Sequence, residues 1–316
     1  MQGISVENQG PDYALMLQEL DPPKPGPDHV LIHIHTSAVN RADLLQAQGH
    51  YPHPAGASPI LGLECAGVRA DTGEKVMCLL PGGGYASEAV VHKGSLLPIP
   101  QSYSMEEAGA TMETALTAYL NIFMLGGAQA GNKVLIHGGS SGVGTMAIQL
   151  CKVAGVQTVV TAGSDEKCKR CEALGANQAV NYKTTDFAEE LEANSFDLVL
   201  DCVGAPYLKS NIKLLKTDGR LLLIGLMGGA KTDIHLGHLL AKRIQLIGST
   251  LRSLSNQRKQ DIIAEFHTQF GEAMNTRAIS PVIHQVFPLQ QAQAAHQLVR
   301  SSQHIGKVVL TLLNNE

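Results

Sequence analysis

Two rhythms of hydrophobic and polar residues divide the 316-residue chain. Up to about residue 115 the apolar runs are short and broken by turn formers. Val30-Leu31-Ile32-His33-Ile34-His35 alternates in part, as a half-buried strand does, and the preceding Pro22-Pro23-Lys24-Pro25-Gly26-Pro27 admits only a loop. Tyr51-Pro52-His53-Pro54-Ala55-Gly56 and Pro81-Gly82-Gly83-Gly84 are further loops. From about residue 117, apolar strand segments at 133–137, 156–162, 198–202 and 220–225 alternate with helical ones. Their cores (VLIH, TVVTA, LVLD, LLLIG) are almost wholly apolar, as strands covered on both faces must be. That βαβ rhythm predicts a parallel sheet. After residue 250 an amphipathic helix is expected over 257–274, with Ile262, Ile263, Phe266 and Phe270 at helical spacing. A strand at 282–287, a helix at 290–301 and a last strand at 307–312 follow. The tail is expected to return and complete the first domain. This gives one domain of residues 1–116 and 254–316, and another of 117–253.

Composition narrows the class. With 44% hydrophobic and 16% charged residues the chain is globular and long enough for two cores. A formal net charge of -4 and the lack of any Lys/Arg block leave no footprint for nucleic acid or a membrane surface. No apolar run reaches the ~18 residues of a membrane span. The opening MQGISVENQG has no basic segment followed by an apolar stretch, so a reducing cytoplasm is the expected location. Of six cysteines only Cys168 and Cys171 form a C-x-x-C, inside a helical pattern and without a second Cys or His pair at metal spacing. Ordinary thiols are expected. His33, His35, His50, His53 and His137 fall near loops of interest, but none has an Asp or Ser partner implied by sequence, and all are read as structural.

The chemistry centres on HGGSSGVG, residues 137–144, between an apolar strand and an Ala/Leu-rich helix. Backbone N–H groups converge at such a helix N-terminus, and glycines let a pyrophosphate come close. The spacing of Gly139, Gly142 and Gly144 is not G-x-G-x-x-G, and alone it fits a plain tight turn equally well. Its place in a βαβ series favours a dinucleotide, with Ser140 and Ser141 as added donors. The next strand ends Thr161-Ala162-Gly163-Ser164, with no carboxylate at its tip for a ribose 2′-hydroxyl. Asp165 and Glu166 already belong to the next helix's first turn, where acids are common. Ser164 and Lys167 are placed to meet a 2′-phosphate, which favours NADPH; a capping Ser164 beside a solvated Lys167 is the competing interpretation.

Seven ordered stretches then carry a resemblance: VNRADLLQAQGHY (39–51), PILGLECAG (59–67), ETALTAY (113–119), HGGSSGVGTMAIQL (137–150), LGANQAVNYK (174–183), GRLLLIGLMGG (219–229) and HIGKVVL (304–310). Together they resemble the zinc-free quinone oxidoreductases of the medium-chain dehydrogenase/reductase superfamily. Within it the SSGVG serine, the GLMGG turn and LPGGGYASE resemble the tumour-suppressor-inducible subgroup most, with the zeta-crystallin type a step further away. The resemblance implies an α/β chain with a GroES-like β-rich catalytic domain split around a Rossmann domain, a doubly wound parallel sheet, and an active site in the cleft between them. It implies cofactor contacts at Ser141, Gly142, Val143 and Gly144, at Ser164 and Lys167, and at Tyr182, with Thr117, Gly225 and Met227 flanking the nicotinamide. Asn40 and Tyr51 match the family's active-site polar residues.

Zinc-dependent relatives carry Cys, His and Cys ligands in the motifs corresponding to Asn40, Gly62-Leu63-Glu64 and the stretch around Glu113; Asn40, Leu63 and Glu113 there cannot form the usual N/S site, and between Leu63 and Glu113 only Cys65 and Cys78 occur, too few for a four-cysteine structural lobe. No metal is expected. Catalysis then rests on positioning and hydrogen bonding beside a hydride-carrying cofactor. Tyr51 is the candidate donor to a quinone carbonyl, or a stacking partner; packing between Pro52 and Pro54 is its alternative role. Asn40 is expected to donate an amide hydrogen to substrate or cofactor ribose, and Glu64 to tie loop backbone together. The leading function is NADPH-dependent quinone reduction, by hydride or by single electrons. Reduction of enone or alkenal C=C bonds and a low-turnover NADPH-binding stress, lens or RNA-associated protein are the alternatives. The apolar, proline-free segment 244–249 is expected to be a sheet edge, and the resemblance implies a homodimer formed through it.

Overall fold

The interrupted apolar runs of the first third fold as β1 (Gln2–Glu7), β2 (Ala14–Glu19), β3 (His29–Val39), β4 (Glu64–Arg69), β5 (Lys75–Leu79), β6 (Glu88–His92) and β7 (Leu96–Pro98). The alternating segments that follow give β8 (Lys133–His137), β9 (Gln157–Ala162), β10 (Gln178–Asn181), β11 (Phe196–Asp201), β12 (Leu215–Leu223) and β13 (Gln245–Gly248). The tail adds β14 (Ile283–Pro288) and β15 (Lys307–Thr311). The computed structural model describes residues 1–312; residues 313–316, at the end of the expected 254–316 segment, lie outside the described residues. The described residues divide into two compact units, Met1–Leu116 with those from Arg252 onward, and Thr117–Leu251.

In the first unit β3 is the spine. Its 11 residues pair antiparallel with β4, β6 and β15, and a register shift between Ile34 and Thr36 marks a bulge that lets one strand serve several partners. β15 meets β3 with Val308 opposite Val39, so the tail completes the sheet of the N-terminal third. Ile4, Leu44, Leu61, Tyr85, Val308 and Leu310 share one buried cluster. The helix Asn256–Asn275 starts at Ser255, whose hydroxyl accepts from Arg258 N, and buries Ile262, Ile263, Phe266 and Phe270, the helical spacing read from sequence.

In the second unit the sheet is parallel, in the order β10-β9-β8-β11-β12-β13. The order runs outward from β8 on one side through β9 and β10, then returns to β11 on the other. That reversal at β8/β11 is a doubly wound sheet's switch point, the place where ligands meet the carboxyl ends of strands. The expected fold class is the one observed: a GroES-like β-rich part and a Rossmann-type parallel sheet. β13 is the outermost strand on its side, with Leu246 38% exposed.

Candidate functional site

In the second unit, the residues expected to touch a dinucleotide follow the carboxyl ends of four strands. Ser141, Gly142, Val143 and Gly144 follow β8, Ser164 and Lys167 follow β9, Tyr182 follows β10, and Gly225 and Met227 follow β12. The glycine loop is closed by packing. A Cβ on Gly139 would lie 2.6 Å from Val160 Cβ, and one on Gly144 would run into the Gly138 carbonyl and the Gly139 backbone. These glycines let the 12-residue helix Gly142–Val153 start hard against the sheet. Gly142 and Val143, at its N-terminus, are partly exposed, and the first N–H groups of a helix have no intrahelical acceptor.

The Ser141 hydroxyl oxygen also caps that helix, accepting from Gly144 N at 3.0 Å. Ser164 does the same for the helix Asp165–Leu174, accepting from Lys167 N at 3.3 Å. Both serines keep a hydroxyl hydrogen to donate. Lys167 is half-buried, and burial followed by the neighbouring Lys183 holds its ammonium below the usual range. Glu166, in the first turn of the following helix, opposes the effect of Lys183 on Lys167. Gly163 has no side chain, and a Cβ there would stand 2.8 Å from the Tyr182 hydroxyl, so the tyrosine lies against the strand tip. Asp201 fixes the loop after β11, its Oδ1 accepting from Val203 N at 2.6 Å and Gly204 N at 3.1 Å. Met227 N donates to Cys202 O, which ties the Gly225–Met227 turn to that loop and leaves the Met227 side chain exposed. Thr117 lies on the helix Met112–Tyr119, and its carbonyl accepts from Asn121 Nδ2 at 2.9 Å. His137 is buried between Thr161 Oγ1 and Asn211 Oδ1, and burial holds its ring neutral, a structural role.

The first unit gathers a second set of groups. Glu64 and Lys307 form a buried ion pair, Nζ to Oε1 2.8 Å, with side chains 0% and 3% exposed. Asn40 Nδ2 donates to Glu64 Oε1 (3.0 Å) and to Ala38 O (3.2 Å), and its Oδ1 accepts from Lys307 Nζ (2.6 Å). Both amide hydrogens are therefore spent. Asn40, expected to donate to substrate or ribose, here directs its amide toward the Glu64–Lys307 ion pair. Glu64 Oε2 accepts from Glu113 N at 3.0 Å, so Glu64 does tie backbone together, at the start of the helix Met112–Tyr119. Asp43, pushed up to about 6 by burial, accepts from Asn40 N and Gly62 N and so anchors both loops.

Tyr51 is half-buried in its loop, and its hydroxyl has no hydrogen-bond partner among the described residues. Burial first, and Glu113 second, push its phenol up, so it remains a hydrogen-bond donor. The Arg252 guanidinium sits 5.3 Å from the Tyr51 ring centre and donates to Pro81 O, Tyr51 O and Gln46 Oε1. Lys259 donates to Arg252 O at 2.7 Å. Sequence reasoning missed Arg252, Lys259, Lys307 and Lys183. The first three come from the tail, and Arg252 meets Tyr51 across 201 residues, a separation that no local pattern reports.

With this geometry in view, two family models match the chain: an alcohol dehydrogenase GroES-like domain over residues 26–101 and a zinc-binding dehydrogenase over residues 142–268. A solved quinone oxidoreductase from Thermus thermophilus, known also in complex with NADPH, is 30% identical, with a TM-score of 0.86 over 99% of this chain and 100% of that one. The chain belongs to the medium-chain dehydrogenase/reductase superfamily. The quinone oxidoreductase of Mus musculus is 27% identical over 330 residues, 99% of this chain and 98% of the relative. An NAD-dependent alcohol dehydrogenase structure is 28% identical, with a TM-score of 0.86 over 99% of this chain and all of that one. Likeness of fold within the superfamily therefore does not choose cofactor or acceptor. The zinc named by one family model finds no fitting donor set here: Asn40 is engaged, Leu63 is apolar and 1% exposed, and Glu113 is a lone carboxyl. Among the described residues no group of three or more His, Cys, Asp or Glu is assembled to hold a metal ion. No described helix is long and apolar enough to cross a membrane.

Proposed function

We propose that the chain is an NADPH-dependent, zinc-independent quinone reductase. The observation that carries the cofactor choice is the tip of β9, where Ala162-Gly163-Ser164 offers no carboxylate and Lys167 with Lys183 offers charge for a 2′-phosphate. Ser141, Gly142, Val143 and Gly144 would hold the pyrophosphate. Ser164, Lys167 and Tyr182 would meet the 2′-phosphate, and Thr117, Gly225 and Met227 would flank the nicotinamide. The bound cofactor supplies a hydride equivalent. The quinone acceptor is supported by the full-length likeness to proteins named quinone oxidoreductase and by the Tyr51 hydroxyl, which is available to donate to a carbonyl. Asn40 serves by orienting Glu64 and Lys307.

A homodimer through the second unit belongs to the same proposal. β13 is an edge strand, and Leu236 and Leu240 on the helix Leu236–Lys242 are 68% and 81% exposed, an apolar surface of the kind natural proteins cover. A cytoplasmic location is supported by six cysteines, none of them in a disulfide.

Steady-state NADPH oxidation with ortho-quinones, para-quinones and alkenals, side by side, tests the function. Quinones should turn over fastest. Turnover with alkenals alone would replace quinone reduction by C=C reduction, and tight NADPH binding with no turnover would leave a binding protein.

A further inference from the structure

Reduction of a quinone or enone by NADPH consumes one proton for each hydride, and the charges of the first unit leave one carboxyl group unpaired among the described residues. Two carboxyl groups, Glu64 and Glu113, approach each other at the start of the helix Met112–Tyr119. Glu64 takes the countercharge. The three hydrogens of the Lys307 ammonium are committed to Glu64 Oε1, Asn40 Oδ1 and Val39 O. The other cations within electrostatic reach of Glu113 are committed as well: Lys259 donates to Arg252 O, and Arg252 to Pro81 O, Tyr51 O and Gln46 Oε1. The Glu113 carboxyl is left with no hydrogen-bond or ion-pair partner among the described residues. It is also incompletely buried, so an incoming ligand can reach it.

We propose that Glu113 is a catalytic acid that delivers the proton to the acceptor oxygen. The inference rests on the assignment of the chain as a reductase of carbonyl-bearing acceptors. On reduction of the acceptor by a hydride equivalent, an electron pair would come to rest on the acceptor oxygen. The O–H bond of Glu113 breaks, its electrons stay on the carboxylate, and the proton bonds to that oxygen. Water then returns a proton to Glu113. The sum is NADPH, acceptor and one proton going to NADP⁺ and the reduced acceptor.

The surroundings suit an acid. Burial first and the Glu64 carboxylate second raise Glu113 to about 8, with Asp43 adding to the rise and Lys307 and Lys259 opposing it. The group is thus protonated at neutral pH, close to where an acid catalyst works best. Tyr51, the neighbouring hydroxyl, is pushed the other way from usefulness as an acid: its raised phenol gives a hydrogen bond readily and a proton poorly.

The test combines kinetics with a titration that needs no turnover. In Glu113→Gln the backbone N–H to Glu64 persists, and circular dichroism checks the fold. Expected for Glu113→Gln is a kcat about 100-fold lower, without the alkaline fall that wild type shows above pH about 8. Infrared spectra of the cofactor-free protein should show a protonated carboxyl band that fades around the same pH and is missing from the variant. An active wild type whose Glu113→Gln variant keeps both rate and alkaline fall overturns the proton donor alone. A Glu113 already ionised at pH 7 does the same. A wild type that oxidises no NADPH with any acceptor overturns the reductase assignment, and the proton donor with it.

Discussion

Replacing Lys307 with Met keeps most of the aliphatic stem and removes the ammonium from a site where it is 3% exposed. Glu64, fully buried, would then keep only Asn40 Nδ2 and Glu113 N as donors, at 3.0 Å each, and no cation. Val39 O and Asn40 Oδ1 would each lose a donor as well. Breaking a buried pair from one side costs about 3–5 kcal/mol, because the remaining charge stays desolvated. Against a stability of roughly 5–15 kcal/mol that is a large fraction. The chain has no tryptophan and seven tyrosines, so urea unfolding followed by tyrosine fluorescence and circular dichroism is the assay. Removing the stranded charge as well, in Lys307→Met with Glu64→Gln, should restore at least half of the loss. A single variant that costs less than about 1 kcal/mol, the worth of an exposed pair, would refute the charge order at this site. So would a double variant no more stable than the single.

Lys167→Ala should weaken NADPH binding by about 1–3 kcal/mol and leave NADH almost unchanged in calorimetric titrations, as for a lost charge-assisted bond. Ser141→Val removes the cap on Gly144 N, so a thermal melt should show about 1 kcal/mol of lost stability together with weaker NADPH binding; unchanged affinity would mean that the hydroxyl only caps. Glu113 carries a pKa of about 8 against 4.5, so the folded chain retains a proton that the unfolded chain has lost, and stability falls as pH rises from about 4.5 to 8. Glu113→Gln should flatten that fall by about 2 kcal/mol, the full linkage being discounted for partial exposure. Leu246→Lys should dissociate or precipitate a dimer joined through β13, and a wild type that sediments as a monomer at micromolar concentration would remove that proposal.

The strands of the second unit were legible because burial on both faces leaves nearly unbroken apolar runs. Lys133–His137 begins and ends where the pattern places it, and Asp165 opens the next helix as read. β10 was not, because QAVN is four residues with one fully buried, too short a signal to separate from a loop. The glycine loop and the bare tip of β9 were legible as local chemistry. The capping of Ser164 was legible only as a competitor to phosphate binding, and the structure shows the cap, with Lys167 N as donor. The partners of Asn40 were not legible, for a physical reason. Its amide is claimed by Glu64 and Lys307, and Lys307 arrives on the last strand, at the far end of the chain. Glu113 was visible as a misfit for zinc, but its lack of a paired cation among the described residues depends on where the Lys307, Lys259 and Arg252 hydrogens point. Only three dimensions report that.

The central claim is tested most directly by one assay: loss of NADPH absorbance with purified enzyme and a quinone, before and after exhaustive chelation, with NADH in parallel. The account predicts one NADPH oxidised per quinone reduced to the hydroquinone, a rate that chelation leaves unchanged, and turnover with NADH at least about tenfold slower, the kinetic equivalent of roughly 1.4 kcal/mol. Quinone-dependent oxidation that disappears on chelation and returns with zinc, or equal efficiency with both cofactors, would contradict it.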